Sequence, residues 1–230
     1  MTIDSVLNCD CIGAMREIES GSFDLIVTDP PYLMKYSTNY RKDKNHKFCS
    51  VISGDDDFDL IHDYIRECYR LLKPNRAMYM FCNMNEVDFF KRELENAGFV
   101  IKNMIVWKKN NWTAGDLVAA YGKQYELLFY VNKGRCPIRG KRLTDVWEFP
   151  RVSGASQLHQ NQKPLDLIKQ CIEKSSDEND LVFDGFIGSG TTAVAAIETN
   201  RHYFGCEIDS DYFKIATKRI NDAETQKFLD

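Results

Sequence analysis

Four consecutive residues, Asp29-Pro30-Pro31-Tyr32, combine an acid, a rigid pair of carbonyls and an aromatic ring directly after the apolar run Phe23-Asp24-Leu25-Ile26-Val27. The combination suits work on the exocyclic amine of a nucleobase. Such an amine is a poor nucleophile because its lone pair is delocalised into the ring. Hydrogen-bond acceptors aimed at both amino hydrogens return charge to the nitrogen without a metal. Asp29 supplies a carboxylate and Pro30 a carbonyl. The locked φ of Pro30 and Pro31, and the limits each sets on the residue before it, hold that carbonyl in one direction. Rigidity matters here, since a misplacement of about 1 Å can cost on the order of 100-fold in rate. Tyr32 offers a face for the base to stack on, worth roughly 1–3 kcal/mol. A base within a duplex must first leave its stack to get there.

A second stretch, Asp184-Gly185-Phe186-Ile187-Gly188-Ser189-Gly190-Thr191-Thr192, follows Leu181-Val182-Phe183. Gly188 and Gly190 allow a tight strand-to-helix turn and close approach of the backbone to a ligand. Glu207, roughly 20 residues on at the end of the next expected strand, is placed to accept hydrogen bonds from both hydroxyls of a ribose. Asp184 is expected to face the same pocket and to pair with an amino group. No third glycine of the dinucleotide pattern occurs, and Thr191-Thr192 open the helix instead. The shorter turn suits a methionine carboxylate better than a pyrophosphate. Nucleoside and amino acid together describe S-adenosylmethionine, so the two stretches point to methyl transfer onto a base amine.

Both stretches stand where a buried strand ends, the place where open α/β sheets hold their ligands. The elements that must position them read in order. Strands are expected at Ser5-Val6-Leu7, Phe23 to Thr28, Arg76 to Cys82, Val100 to Trp107, Tyr125 to Val131, around Val146-Trp147-Glu148, Leu181 to Asp184 and Tyr203 to Glu207. Helices are expected over 12–18, over 58–72, from Glu86 to Ala97 with Asn85 as cap and Gly98 as stop, from Pro164 to about Lys174, from Thr191 to Thr199, and over 211–222. Alternation of this kind predicts an α/β fold, a mostly parallel sheet with helices on both faces. The glycine turn lies in a β-α-β unit that begins only near residue 181, whereas a dinucleotide-binding fold places it first. The order is therefore permuted, which counts against a nicotinamide-dependent dehydrogenase.

The 230 residues, 43% of them hydrophobic, suffice for a single domain over 1–230. The polar segments 33–57 and 109–158 read as insertions in it that meet the target. Neither a bilayer-spanning apolar run nor a secretory signal is visible. The eight cysteines read as reduced thiols of a cytoplasmic protein, Cys68, Cys82, Cys171 and Cys206 as small core hydrophobes. Cys9-Asp10-Cys11 does not have a zinc spacing, so no metal is expected. Net charge is −4, but the balance is local. Lys35, Arg41, Lys42, Lys44 and Lys47 face one acid, Asp43, within residues 33–50; Lys133, Arg135, Arg139, Lys141 and Arg142 face none within 133–142. Both runs are expected to flank the site and to contact DNA phosphates.

The paired motifs resemble those of the amino-methylating DNA methyltransferases, in the β arrangement, where the catalytic motif precedes the cofactor motif. His159, Gln162-Lys163-Pro164-Leu165, Arg201, Gly205, Glu207-Ile208-Asp209 and Tyr212 follow that family's pattern in order, and Leu72-Lys73-Pro74 and Trp107-Lys108 also fit. The resemblance implies a permuted Rossmann-like, S-adenosylmethionine-dependent methyltransferase fold. It implies catalytic roles for Asp29, Pro30, Pro31 and Tyr32. It implies a cofactor site drawn from Asp10 near the adenine, Lys163 near the methionine end, Asp184, Phe186, Gly188, Ser189, Gly190, Thr191, Thr192 and Glu207. Double-stranded DNA is the implied substrate; a homodimer and a cognate restriction nuclease are further expected partners. The Asp-Pro-Pro-Tyr form is closer to the adenine-N6 enzymes than to the cytosine-N4 ones, which more often have serine in first position. Cytosine-N4 methylation, or a non-catalytic nucleic-acid-binding protein of the same fold, are the alternatives. Two positions depart from the family, Gly185 and Gln160 standing where proline is usual.

Overall fold

The computed structural model describes residues 1–32, 57–112, 117–153 and 162–229. Eight strands make one sheet: β1 (Ser5–Leu7), β2 (Phe23–Thr28), β3 (Leu72–Cys82), β4 (Val100–Lys108), β5 (Tyr125–Lys133), β6 (Val146–Glu148), β7 (Leu181–Asp184) and β8 (His202–Cys206). Their spatial order is β1-β8-β7-β2-β3-β5-β4-β6. Only β5 runs against the rest, pairing antiparallel with both β3 and β4. The helices are α1 (Cys11–Arg16), α2 (Phe58–Leu71), α3 (Val87–Ala97), α4 (Leu165–Ser175), α5 (Thr191–Glu198) and α6 (Ser210–Leu229).

Strand alternation divides the apolar residues between two cores, one on each face of the sheet. In β3, Met78, Met80 and Cys82 face one core while Ala77, Tyr79 and Phe81 face the other. The first core takes the buried sides of α1, α2 and α3, among them Met15, Tyr64, Ile65 and Leu94. The second takes those of α4, α5 and α6, among them Ile168, Ile172, Ala195 and Ile220. Helices therefore cover both faces. Cys68, Cys82, Cys171 and Cys206 are free and buried, as expected of small hydrophobes.

The permutation fixes where the crevice lies. From β7 the chain crosses through α5 to β8 on one side, and from β2 through α2 to β3 on the other, while β2 and β7 pair directly. The sheet reverses its winding between them, and a cleft opens at the carboxyl ends of such a strand pair. The Asp29 turn and the Gly188 turn leave the sheet there, side by side.

Several expected boundaries move. Asn83, not Asn85, caps the entry to α3: its side chain accepts from the Asn85 N–H at 3.3 Å and starts a 3-10 turn over Met84–Glu86. The closing helix continues to Leu229, well beyond residue 222. Gly98 ends α3 as expected, with φ +105°. Among the described residues no helix is long and apolar enough to cross a membrane.

Candidate active site

Asp29 leaves the end of β2 with Pro30 and Pro31 buried behind it. Its two carboxylate oxygens have different partners. Lys163 Nζ donates to Oδ2 at 2.5 Å, and the Tyr32 hydroxyl donates to Oδ1 at 2.5 Å. Lys163 sits just before α4, and its ammonium also reaches the Tyr32 hydroxyl at 3.1 Å and Glu126 Oε2 at 3.2 Å. Glu126 Oε1 accepts from Lys109 Nζ at 2.5 Å. Rings close the cluster: Lys163 Nζ lies 4.7 Å from the centroid of Phe81, and Lys109 Nζ 5.0 Å from that of Trp107. Two carboxylates and two ammonium groups thus balance at the carboxyl edge of the sheet.

Burial decides how these groups titrate. It pushes the Asp29 carboxyl up; Lys163 pulls it back, and the Glu126 charge adds to the rise. Burial also opposes ionisation of Glu126, but Lys163 and Lys109 hold its pKa below the usual carboxylate range. For Lys163 burial disfavours the charge, yet Asp29 and Glu126 together keep its pKa above the usual lysine range. The Tyr32 phenol is driven far up by burial and by the neighbouring Asp29 and Glu126. It is a hydrogen-bond donor here, not a phenolate.

Across the cleft, the glycine turn is built by residues that face inward. Gly188 and Gly190 have φ of +54° and +84°. A Cβ on Gly190 would lie 3.1 Å from Ala216 of α6, so this glycine serves helix packing rather than ligand approach. Arg219 of α6 donates to the Ser189 carbonyl at 2.6 Å, to Ser189 Oγ at 3.0 Å and to Thr191 Oγ1 at 3.2 Å. Asp184 was expected to face a ligand and instead points inward. It accepts from Thr192 Oγ1 at 2.6 Å and from the Phe186 N–H at 3.1 Å, and burial raises its pKa to about 7. Ser189, Gly190, Thr191, Thr192 and Asp184 therefore shape the turn from behind.

The open side carries Gly188, Phe186 and Glu207, all partly exposed. Glu207 Oε2 accepts from the Gly188 N–H at 2.9 Å and Oε1 from the Asp209 N–H at 2.8 Å. The two halves of the second motif therefore meet through one side chain. Burial raises the Glu207 pKa and those N–H groups restrain the rise. Asp10 is exposed beyond β1 and caps α1 by accepting from the Gly13 N–H at 2.7 Å. These groups fit S-adenosylmethionine. Glu207 is a carboxylate already oriented, with lone pairs left for ribose hydroxyls. Lys163 is a cation suited to an amino-acid carboxylate, and Phe186 is an aromatic wall.

Glu126 and Lys109 escaped the sequence reading. Their one signal was an acid inside the apolar strand Tyr125-Glu126-Leu127-Leu128. The run 133–142 needs a correction. Because β5 is antiparallel, Lys133 pairs with Arg76 at the opposite edge of the sheet from Asp29. There Arg139 forms two bonds of 2.7 Å to Asp177, the Arg135 N–H meets Asn75, and the Lys141 carbonyl accepts from Lys174. Arg135, Arg139 and Lys141 do not flank the site; Arg142 follows them and is exposed. Lys35, Arg41, Lys42, Lys44, Lys47 and His159 lie outside the described residues.

Comparison with known proteins agrees with this architecture. The DNA methylase family of N6 and N4 type matches residues 23–218. The type II methyltransferase M.HpaI of Haemophilus parainfluenzae is 30% identical over 244 residues, spanning 95% of this chain and 75% of its own. The crystal structure of the M1.HpyAVI–SAM complex superposes with a TM-score of 0.74 at 27% identity, covering 94% of this chain and 98% of that one. The cytosine-N4-specific PvuII DNA methyltransferase, 14% identical, has a TM-score of 0.76 over 99% of this chain and 93% of its own, a likeness of fold alone.

Proposed function

Since the chain belongs to the N6/N4 DNA methylase family, we propose that it methylates the N6 amine of adenine in double-stranded DNA at a specific site. The observation that carries this reading is the position of Asp29, a partly buried carboxylate beside a glycine turn on the neighbouring strand. S-adenosylmethionine, when bound, supplies an electrophilic methyl group for direct in-line transfer. Glu207, Gly188, Phe186 and Lys163 would hold it, and Asp10 would serve its adenine end.

The chain's own residues do the rest. Asp29 and the Pro30 carbonyl accept the two hydrogens of the amine and return charge to its nitrogen. In the free protein the Tyr32 hydroxyl occupies Asp29 Oδ1. Its departure opens the acceptor and frees the ring to stack on the flipped base. Transfer turns the amine into a methylammonium that sheds one proton. Asp29, whose pKa burial raises, is the base positioned to take it. The aspartate at the head of the motif favours adenine over cytosine.

Asp29→Ala tests the reading. A hydrogen bond to a charged group contributes roughly 1.5–3 kcal/mol, so transfer of a tritiated methyl group to DNA should nearly cease while cofactor binding by calorimetry persists. Turnover equal to that of the wild type would refute it. Nucleoside digestion and mass analysis of the product separate N6-methyladenine from N4-methylcytosine.

A further inference from the structure

Glu126 is the one member of the Asp29 cluster that touches both ammonium groups, with Lys163 at 3.2 Å and Lys109 at 2.5 Å. It faces Trp107 across the β4–β5 pair, so its backbone is fixed by two strands rather than by a loop. Lys109 follows β4 directly, and its N–H donates to the Gln124 carbonyl at 2.8 Å, which ties it to the same pair. Lys163 precedes a helix and reaches Asp29 with a long flexible stem. Beside its bond to the Tyr32 hydroxyl at 3.1 Å, an anchor on the side away from Asp29 narrows where its ammonium can lie. Glu126 supplies that anchor, and Lys109 neutralises it.

We propose that Glu126 is a positioning residue for methyl transfer: backed by Lys109, it fixes the Lys163 ammonium and through it the orientation in which Asp29 receives the target amine. The proposal rests on the reading of Asp29 as amine acceptor and assigns a role that the motifs themselves do not contain. Glu126 is 24% exposed and Lys163 only 7%, so water screens the arrangement weakly.

Among the described residues, the titratable groups facing Asp29 are Tyr32 on its own turn, Cys82 at the end of β3, Glu126 on β5 with Lys109 behind it, Lys163 before α4, and Asp184 on β7, of which the Tyr32 phenol and the Cys82 thiol are neutral. Glu126 raises the Asp29 pKa and Lys109 offsets Glu126. Removing the Glu126 charge should therefore lower the Asp29 pKa. Removing Lys109 leaves the Glu126 charge less compensated, with Lys163 still beside it, and should raise it.

The test uses the full chain with Glu126→Gln, Glu126→Asp and Lys109→Met, each checked by thermal unfolding. Loss of positioning costs on the order of 10- to 100-fold in kcat for Glu126→Gln, and Glu126→Asp recovers part of it. The acidic limb of kcat/KM, which reports the free enzyme's essential base, moves to lower pH in Glu126→Gln and to higher pH in Lys109→Met. A merely structural Glu126 would give no opposed shifts. Wild-type kcat in Glu126→Gln overturns the proposal, as do limbs that stay in place or move together. If Glu126→Gln does not fold, the direction of the Lys109→Met shift decides alone. Asp29→Asn separates the two readings: an active variant overturns the role of Asp29 and this proposal with it, whereas an inactive one beside a wild-type-like Glu126→Gln overturns this proposal only.

Discussion

Tyr64 occupies the space that a side chain at position 185 would need. A Cβ built on Gly185 would lie 2.5 Å from Tyr64 Cε2, and the Gly185 N–H donates to the Tyr64 hydroxyl at 3.2 Å. The same hydroxyl is 2.7 Å from Thr28 Oγ1, the last residue of β2. One phenol therefore ties the strand that ends in the Asp29 turn to the strand that ends in the Gly188 turn. Proline, usual here in the family, would lose the N–H and strike the ring. Glycine at 185 and tyrosine at 64 are two halves of one packing solution.

That coupling is measurable. Gly185→Ala should destabilise the chain by about 1–3 kcal/mol, the ordinary cost of overpacking. Gly185→Pro should cost about 1 kcal/mol more for the lost donor. In a Tyr64→Leu background the alanine should cost clearly less, since the ring it strikes is gone. Urea unfolding of the four-member cycle checks this; strictly additive effects would show that the ring and the glycine are independent.

Asp184 gives a pH signature of known sign. In the folded chain it keeps its proton up to about pH 7, whereas its ordinary value is 3.8. Between those values the unfolded state binds fewer protons, so this group's contribution to stability falls as pH rises and levels off above the folded value. Asp184→Asn removes the contribution. The stability difference, wild type minus variant, should be greatest near about pH 4 and decline to a plateau above about pH 7. A difference that grows with pH would contradict the buried, protonated carboxyl.

The parts of this site legible in the sequence share one property: each is a local motif at a strand end. Asp29-Pro30-Pro31-Tyr32, Gly188 and Glu207 announce themselves by residue type and by the apolar run before them. What could not be read depends on how strands are arranged in space. Glu126 and Lys109 form a cluster only because β4 and β5 are antiparallel neighbours. The same antiparallel β5 carries the basic run 133–142 away from the site, although its composition suggested a DNA face. Asp184 sits at the expected strand end, but the hydroxyl of Thr192, eight residues on at the start of α5, draws it inward. Sequence spacing gives no hint of which way a short acid will turn.

Lys163 carries the charge balance of the Asp29 cluster. Lys163→Met leaves Asp29 and Glu126 without the cation that lies between them, and breaking a buried pair typically costs about 3–5 kcal/mol. With both carboxylates partly exposed, the lower end is expected. The loss should be larger at about pH 8 than at about pH 5, because protonation relieves two carboxylates that no longer have a shared partner. Thermal melts of variant and wild type at the two values test this. A loss independent of pH would mean that the stem of Lys163, not its charge, matters to the fold.

Arg219 offers a way to change cofactor affinity without touching the cofactor. It lies on α6, and burial lowers its pKa. Its guanidinium grips Ser189 and Thr191 from behind the glycine turn. Those bonds hold the backbone that presents Gly188 N–H to Glu207, and so they preorganise the open side of the site. Arg219→Met keeps much of the stem packing but frees the turn to sample other shapes, so binding must then order it. S-adenosylmethionine affinity by calorimetry should weaken roughly tenfold, equivalent to about 1.4 kcal/mol, with kcat at saturating cofactor changed far less. Arg219→Lys keeps the charge but not the forked donor geometry, and should fall between the two. An unaltered affinity in a folded Arg219→Met would show that β7, α5 and Glu207 set the turn without help from α6.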